Sequence, residues 1–380
     1  MAKKRVKVLL NPFVCEGYAG PEYFFDRTEE TEELISNLRN GRNITLISPR
    51  RIGKTGLIKH VFSQIQKQEK DAVCIYVDIF STKNQHDFAK VLGTCVLQQM
   101  MSRGQKMLNH VLEFFGSWRP VFSADPLTGS PSVSISIEEQ QSAVTIKSIF
   151  DYLNQSTCTI YIAIDEFQQI TQYSESGTEA LLRSYIQFIP NVHFIFSGSK
   201  MHLMAQMFHS PQRPFYQSTA SMGLKPIIED IYYEFARRPF ESRNGSLSPS
   251  VFHYLYVCFD GITSNIQQVL NRLYEVEHKV EDEQQVNNAI QYIVNRLSMQ
   301  YETLTTFLTY NQFVLLKNIA RCGHVESPQS GKFIKQNDLP SASSVKAALT
   351  VLLDKEMVYH DNSGYFVYDR FFDLWLKRLP

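Results

Sequence analysis

Ser48-Pro49-Arg50-Arg51-Ile52-Gly53-Lys54-Thr55 is the stretch whose reading decides the fold. It follows an apolar run, Ile44-Thr45-Leu46-Ile47, and leads into Gly56-Leu57-Ile58-Lys59-His60-Val61-Phe62, which reads as a helix. Strand, tight loop and Gly-Lys-Thr opening a helix is the arrangement that cradles nucleotide phosphates. The loop's backbone N–H groups point inward, and the helix N-terminus adds partial positive charge. Pro49, Arg50, Arg51, Ile52, Gly53, Lys54, Thr55 and Gly56 are therefore candidate nucleotide contacts. Lys54 is placed for the β- and γ-phosphates, and the Thr55 hydroxyl for Mg²⁺. One position departs from the usual G-x-x-x-x-G-K-[ST] pattern, because Ser48 stands where the first glycine belongs. Pro49 pushes Ser48 into extended geometry, which any residue tolerates.

A second motif supplies the carboxylates. Thr159-Ile160-Tyr161-Ile162-Ala163-Ile164 is a continuous apolar strand suited to burial on both faces, and it ends in Asp165-Glu166-Phe167-Gln168. A carboxylate at the C-terminal tip of such a strand sits at the mouth of a doubly wound sheet. Asp165 is the candidate Mg²⁺ residue, acting through water. Glu166 is the candidate general base for an attacking water, which is what phosphoryl transfer asks of a protein that mainly positions groups.

With these residues in view, the chain resembles archaeal-type P-loop ATPases of the STAND branch, relatives of the AAA+ proteins. Tyr23-Phe24-Phe25-Asp26-Arg27-Thr28-Glu29 is similar to the F-x-x-R-x-x-E segment that precedes the phosphate loop in that group, and paired arginines such as Arg50 and Arg51 are typical of it. Phe194-Ile195-Phe196-Ser197-Gly198-Ser199 resembles the strand that ends in a polar sensor, and Arg213-Pro214-Phe215-Tyr216 the segment after it. Gly261-Ile262-Thr263-Ser264-Asn265-Ile266-Gln267 is similar to G-G-x-P-x-x-x-Q without its proline. The resemblance implies ATP or ADP with Mg²⁺ as ligands, adenine over guanine, and hydrolysis that is slow without a partner. It also implies a helical lid that folds back over the nucleotide. Phe24, Phe25 and Arg27 would line the adenine pocket, or the two aromatics would be core. Ser197 and Ser199 read as the sensor, or as ordinary strand-end serines. Arg213 reads as an arginine finger or, more simply, as a structural arginine. Arg50 and Arg51 would meet the γ-phosphate or a neighbouring domain, or face solvent.

Composition narrows the alternatives. Lys plus Arg and Asp plus Glu number 38 each in 380 residues, so the formal net charge is zero. That balance argues against an extended nucleic-acid surface, which needs a basic excess somewhere, and leaves room only for a local patch. The six cysteines are scattered, with no C-x-x-C pair, and read as reduced thiols of a cytoplasmic protein. No apolar run approaches the ~18 residues of a membrane span, so no membrane role is expected.

The alternation of strands and helices predicts a P-loop α/β fold with a parallel sheet over 1–228. Helices are expected over Asp26 to Gly41 and Gln85 to Phe115, and a hairpin-like insertion on the sheet edge over 117–137. A helical lid follows over 229–300, helical throughout, with Ile231, Phe235, Phe252, Leu255, Phe259, Ile266, Val269, Leu270 and Leu273 as core. Residues 301–380 read as a winged helix whose third helix is capped at Ser343-Ser344 and whose hairpin turns at Asp361 to Gly364. That helix offers Lys346 and Lys355, the latter flanked by Asp354 and Glu356, so DNA binding is not the favoured reading. A protein partner or self-association through the lid and winged helix is. Three functions follow: an ATP-driven switch, a nucleotide-dependent DNA-binding regulator, and a nucleotide-locked interaction module without turnover.

Overall fold

The computed structural model describes residues 10–101, 119–124, 131–136, 142–361 and 363–380. These fall into two compact units, Glu16–Ile228 and a second made of Glu229–Pro380 with the N-terminal residues through Cys15.

The first unit is built on strands β1 (Ile44–Ile47), β2 (Val73–Asp78), β3 (Arg119–Ala124), β4 (Pro131–Ser136), β5 (Ile160–Asp165), β6 (Val192–Gly198) and β7 (Ala220–Gly223). Five of them form one parallel sheet in the order β2-β5-β6-β1-β7. Side chains alternate across it: Ile160, Ile162 and Ile164 enter one core, Tyr161 and Ala163 the other. Burial on both faces explains why β5 reads as an unbroken apolar run. The helices Thr28–Arg39 and Lys54–Gln68 contribute Leu34, Leu38, Leu57, Val61 and Ile65 to one core. The helices Gln85–Met101, Ser142–Gln155, Thr178–Ile186 and Met201–His209 cover the other. Strand β6 lies between β1 and β5, so its C-terminal end stands between the phosphate loop and the Asp165-Glu166 pair.

Some local expectations shift. The first helix begins at Thr28, because Asp26 and Arg27 both adopt positive φ (55° and 62°). The insertion does form a hairpin, β3 antiparallel to β4, but it is a two-stranded sheet of its own, not an edge of the main one. The expected run of helix from 102 to Phe115, and the remainder of the insertion, lie outside the described residues.

In the second unit, the helices Glu229–Ser242, Pro249–Cys258, Thr263–Val276 and Glu283–Thr306 are interrupted by two short strands, β8 (Ser246–Leu247) and β9 (Lys279–Val280). These pair in parallel, correcting the all-helical expectation. Ile231 is 43% exposed and its neighbour Tyr232 is fully buried, so the helix is turned one residue from the expected phase. Phe13 is fully buried against Phe235, Phe240 and Tyr274. Reciprocal amide contacts fix it there: Asn11 Nδ2 donates to the Asn271 carbonyl at 2.8 Å and Asn271 Nδ2 to the Phe13 carbonyl at 2.7 Å.

The winged helix comprises the helices Tyr310–Cys322, Gly331–Gln336 and Ala342–Asp354, the antiparallel hairpin of β10 (Val358–Asp361) and β11 (Gly364–Val367), and a last helix, Arg370–Arg378. Its third helix is capped by Ser341, whose hydroxyl accepts from the Ser344 amide, rather than by Ser343 or Ser344. Among the described residues, no helix is long and apolar enough to cross a membrane.

Candidate nucleotide site

The phosphate loop leaves β1 at Ser48, which is 1% exposed. Arg51 has φ 63° and Gly53 φ 104°. A Cβ at Gly53 would meet nothing within 4 Å, so glycine is needed for the dihedral and not for space. The helix Lys54–Gln68 then opens with no side-chain cap and no acidic residue in its first turn. Its first N–H groups are left for an incoming anion. Lys54 is buried, and its ammonium donates to the carbonyls of Ser48 (2.9 Å) and Pro49 (3.0 Å). Burial lowers the Lys54 pKa, against the pull of Asp165 and Glu166. Arg27, 4% exposed, braces the loop: it pairs with Glu30 at 2.6 Å and donates to the Ile52 carbonyl at 3.3 Å.

The parallel register brings Asp78 at the end of β2 opposite Asp165 at the end of β5. Asp165 Oδ2 accepts from the Thr55 hydroxyl (3.0 Å) and the Tyr76 hydroxyl (2.5 Å), while Oδ1 accepts from the Glu166 amide (3.1 Å). Burial, with Asp165 beside it, drives the Tyr76 phenol far above its ordinary range. Burial also raises the Asp78 carboxyl. The Thr55 hydroxyl and the Asp165 carboxylate form a hard-oxygen set on adjoining elements, which suits Mg²⁺ completed by phosphate and water oxygens.

Glu166 leaves the strand with φ 56°, and its side chain reaches the residue that follows the neighbouring strand β6. Its Oε2 accepts from Ser199 Oγ at 2.8 Å and Gln168 Nε2 at 2.5 Å. Arg50 Nε in turn donates to Ser199 Oγ at 3.2 Å, and its guanidinium stands over the Phe80 ring at 6.0 Å. The sheet order accounts for this chain of contacts. Ser199 follows the central strand β6, and so reaches both the loop after β1 and the carboxylate after β5.

Lys54, Thr55, Asp165, Glu166, Arg50 and Ser199 are thus brought together. Ser197 is not: it is fully buried within β6, and its hydroxyl has no hydrogen-bond partner among the described residues. Arg213 pairs with Glu179 on the helix Thr178–Ile186. Phe24 packs on the helix after the loop, stacked on His60 at 4.2 Å, and a Cβ at Gly56 would touch its ring at 3.5 Å. Phe25 is half-buried. Tyr76, Gln168 and His60 were not singled out by sequence reasoning. For Gln168 the signal was there, two residues beyond Glu166 in a turn too tight to send a side chain far.

Residues 24–269 match the family described as "ATPase domain predominantly from Archaea", and residues 299–378 the family described as "Probable winged helix domain". Among solved structures, the Walker-type ATPase PABY2304 of Pyrococcus abyssi is similar at 17% identity and TM-score 0.65, over 96% of this chain and 99% of that one. The Aeropyrum pernix ORC2 protein in ADPNP–ADP complexes is similar at 15% identity and TM-score 0.57, over 96% and 97%. The Aeropyrum pernix ORC1 protein in complex with DNA is similar at 14% identity and TM-score 0.52, over 97% and 96%. At these identities the likeness speaks to fold alone. No curated protein matches the chain in sequence. The family match spans the phosphate loop, the carboxylate pair and Ser199, and on it the chain belongs to the ATPase family found predominantly in Archaea, here with a C-terminal winged helix.

Proposed function

We propose that this protein is a Mg²⁺-dependent ATPase that works as a nucleotide-driven switch, with the lid (229–300) and winged helix (301–380) as its output. The single observation that carries the reading is the Glu166 carboxylate, held at the C-terminal end of the interior strand β5 and fixed by Ser199, on the side of the sheet where a helix N-terminus without a side-chain cap and a buried lysine also lie. Lys54 and the loop amides would hold the phosphates, and Thr55 with Asp165 would hold Mg²⁺. The ion would offset charge on the β- and γ-phosphates. Glu166 takes a proton from water as the water oxygen bonds to the γ-phosphorus. The bond from that phosphorus to the bridging oxygen breaks, leaving ADP and phosphate. Ser199 and Arg50 are placed to follow the γ-phosphate, whereas Arg213, engaged by Glu179, is given a structural role. The STAND and AAA+ affiliation is part of this reading.

The test is steady-state hydrolysis and nucleotide affinity for the wild type and Glu166→Gln. Retained binding with a rate reduced by about 100-fold or more supports the assignment. Equal rates in both proteins would sink it, and binding without turnover in both would favour the nucleotide-locked interaction module.

The winged helix motivates a second reading, a DNA-binding regulator, and the ORC1 relative was solved with DNA. Against it, the third helix carries Lys346 as its basic residue and ends at Asp354. Duplex binding that weakens steeply between 50 and 200 mM salt would support it. Salt-independent or absent binding would leave a protein partner as the output.

A further inference from the structure

The Glu166 carboxylate is gripped on one oxygen only. Oε2 accepts from both Gln168 and Ser199, and Oε1 accepts nothing among the described residues. Gln168 is 3% exposed and sits in the turn of 3₁₀-helix Phe167–Gln172 that follows Glu166. Its own Oε1 is buried without a partner. The orientation of the amide is nevertheless fixed, because a flipped amide would set a carbonyl oxygen against a carboxylate oxygen. Space for it comes from Gly198, where a Cβ would lie 2.4 Å from the Gln168 carbonyl oxygen and 2.6 Å from Met204. A buried amide that satisfies only its donor side leaves its carbonyl oxygen unpaired at a cost to stability.

We infer that Gln168 is the positioning residue of Glu166. It fixes one carboxylate oxygen so that the other is left to meet the attacking water. This rests on the reading of Glu166 as general base. The charged groups around that carboxylate are Asp165 on β5, Asp78 on β2, and Lys54 and Arg50 on the phosphate loop.

Gln168→Met keeps the length and removes the donor, and Gln168→Asn keeps the amide but withdraws it by one methylene. Each is compared with the wild type in full-length protein by steady-state hydrolysis and nucleotide affinity, alone and combined with Glu166→Gln. In both variants kcat should fall about tenfold at unchanged KM and unchanged nucleotide affinity. In the Glu166→Gln background neither substitution should lower the residual rate further, because the group that Gln168 positions is gone. An unchanged kcat overturns the inference, as does an equal loss in the Glu166→Gln background. If Gln168→Met does not fold, Gln168→Asn decides alone. Wild-type turnover in Glu166→Gln by itself would be the failure of the base assignment, a result distinct from additive losses in the double variants.

Discussion

Two buried charges teach different lessons about this molecule. Lys54 in the phosphate loop is 7% exposed, and its ammonium rests on two backbone carbonyls. Asp373, in the last helix of the winged helix, is 3% exposed and is paired with Lys377 at 2.6 Å one turn further on. Burial works against the charged form of both: it lowers the Lys54 pKa and raises that of Asp373. The difference lies in what answers the charge. Asp373 carries its counterion on its own helix and is complete. Among the described residues the Lys54 ammonium donates to neutral carbonyl oxygens only, at a helix N-terminus without a side-chain cap, so a multiply charged anion would improve its position. A buried charge closed by its own element is structure, and one left open toward a helix N-terminus is a ligand site.

The largest expected effect breaks this contrast if it fails. Lys54→Ala should weaken ATP binding by at least about 100-fold by calorimetry, the scale of losing one partner of a buried charged contact. The ligand-free protein should be no less stable. Its folded pKa is lowered, so the charged lysine costs folding free energy at neutral pH, and removing it relieves that cost. A drop of several kcal/mol in ligand-free stability would make Lys54 a structural charge like Asp373.

A smaller effect sharpens the picture at the metal side. Tyr76→Phe removes the hydroxyl that donates to Asp165 at 2.5 Å but keeps the ring over which Lys59 sits at 5.2 Å. A hydrogen bond to a charged group contributes about 1.5–3 kcal/mol. Freed of it, Asp165 should be less well oriented, and Mg²⁺-dependent affinity for ATP should fall about tenfold. Affinity measured in EDTA should not change. Equal losses with and without Mg²⁺ would place Tyr76 in the fold rather than in the site.

What was legible in the chain follows from the range of the physics involved. The phosphate loop, the strand ending at Asp165 and Glu166, and the parallel sheet are carried by local pattern. Tyr76 was not legible, because its role depends on the β2–β5 register, which sets Asp78 opposite Asp165. Ser197 and Ser199 were read together, and the end of β6 at Gly198 separates them: Ser197 lies within the strand, while Ser199, just past its end, is buried in contact with both Glu166 and Arg50. The phase error at Ile231 is of another kind. Isoleucine and tyrosine both fit an apolar stripe, and the packing of Tyr232 against Phe252 at 5.5 Å decided the phase. Phe13 could not be placed from sequence at all, since its partners Phe235, Phe240 and Tyr274 lie more than two hundred residues away.

The smallest effect tests the closed charge. Burial raises the Asp373 pKa above its ordinary 3.8 despite Lys377, Arg370 and His324, which act to lower it. Where the folded pKa exceeds the unfolded one, the folded state holds its proton longer. The stability this lends is complete below pH 3.8 and is lost as pH rises through the folded pKa. Asp373→Asn imitates the protonated form at every pH. Its urea midpoint should therefore match the wild type near pH 4 and exceed it slightly at pH 7, with nucleotide affinity untouched. Lower stability at pH 7 would mean that the pairing with Lys377 outweighs desolvation. Asp373 would then be a charge the winged helix needs, and the contrast with Lys54 would rest on the partner alone.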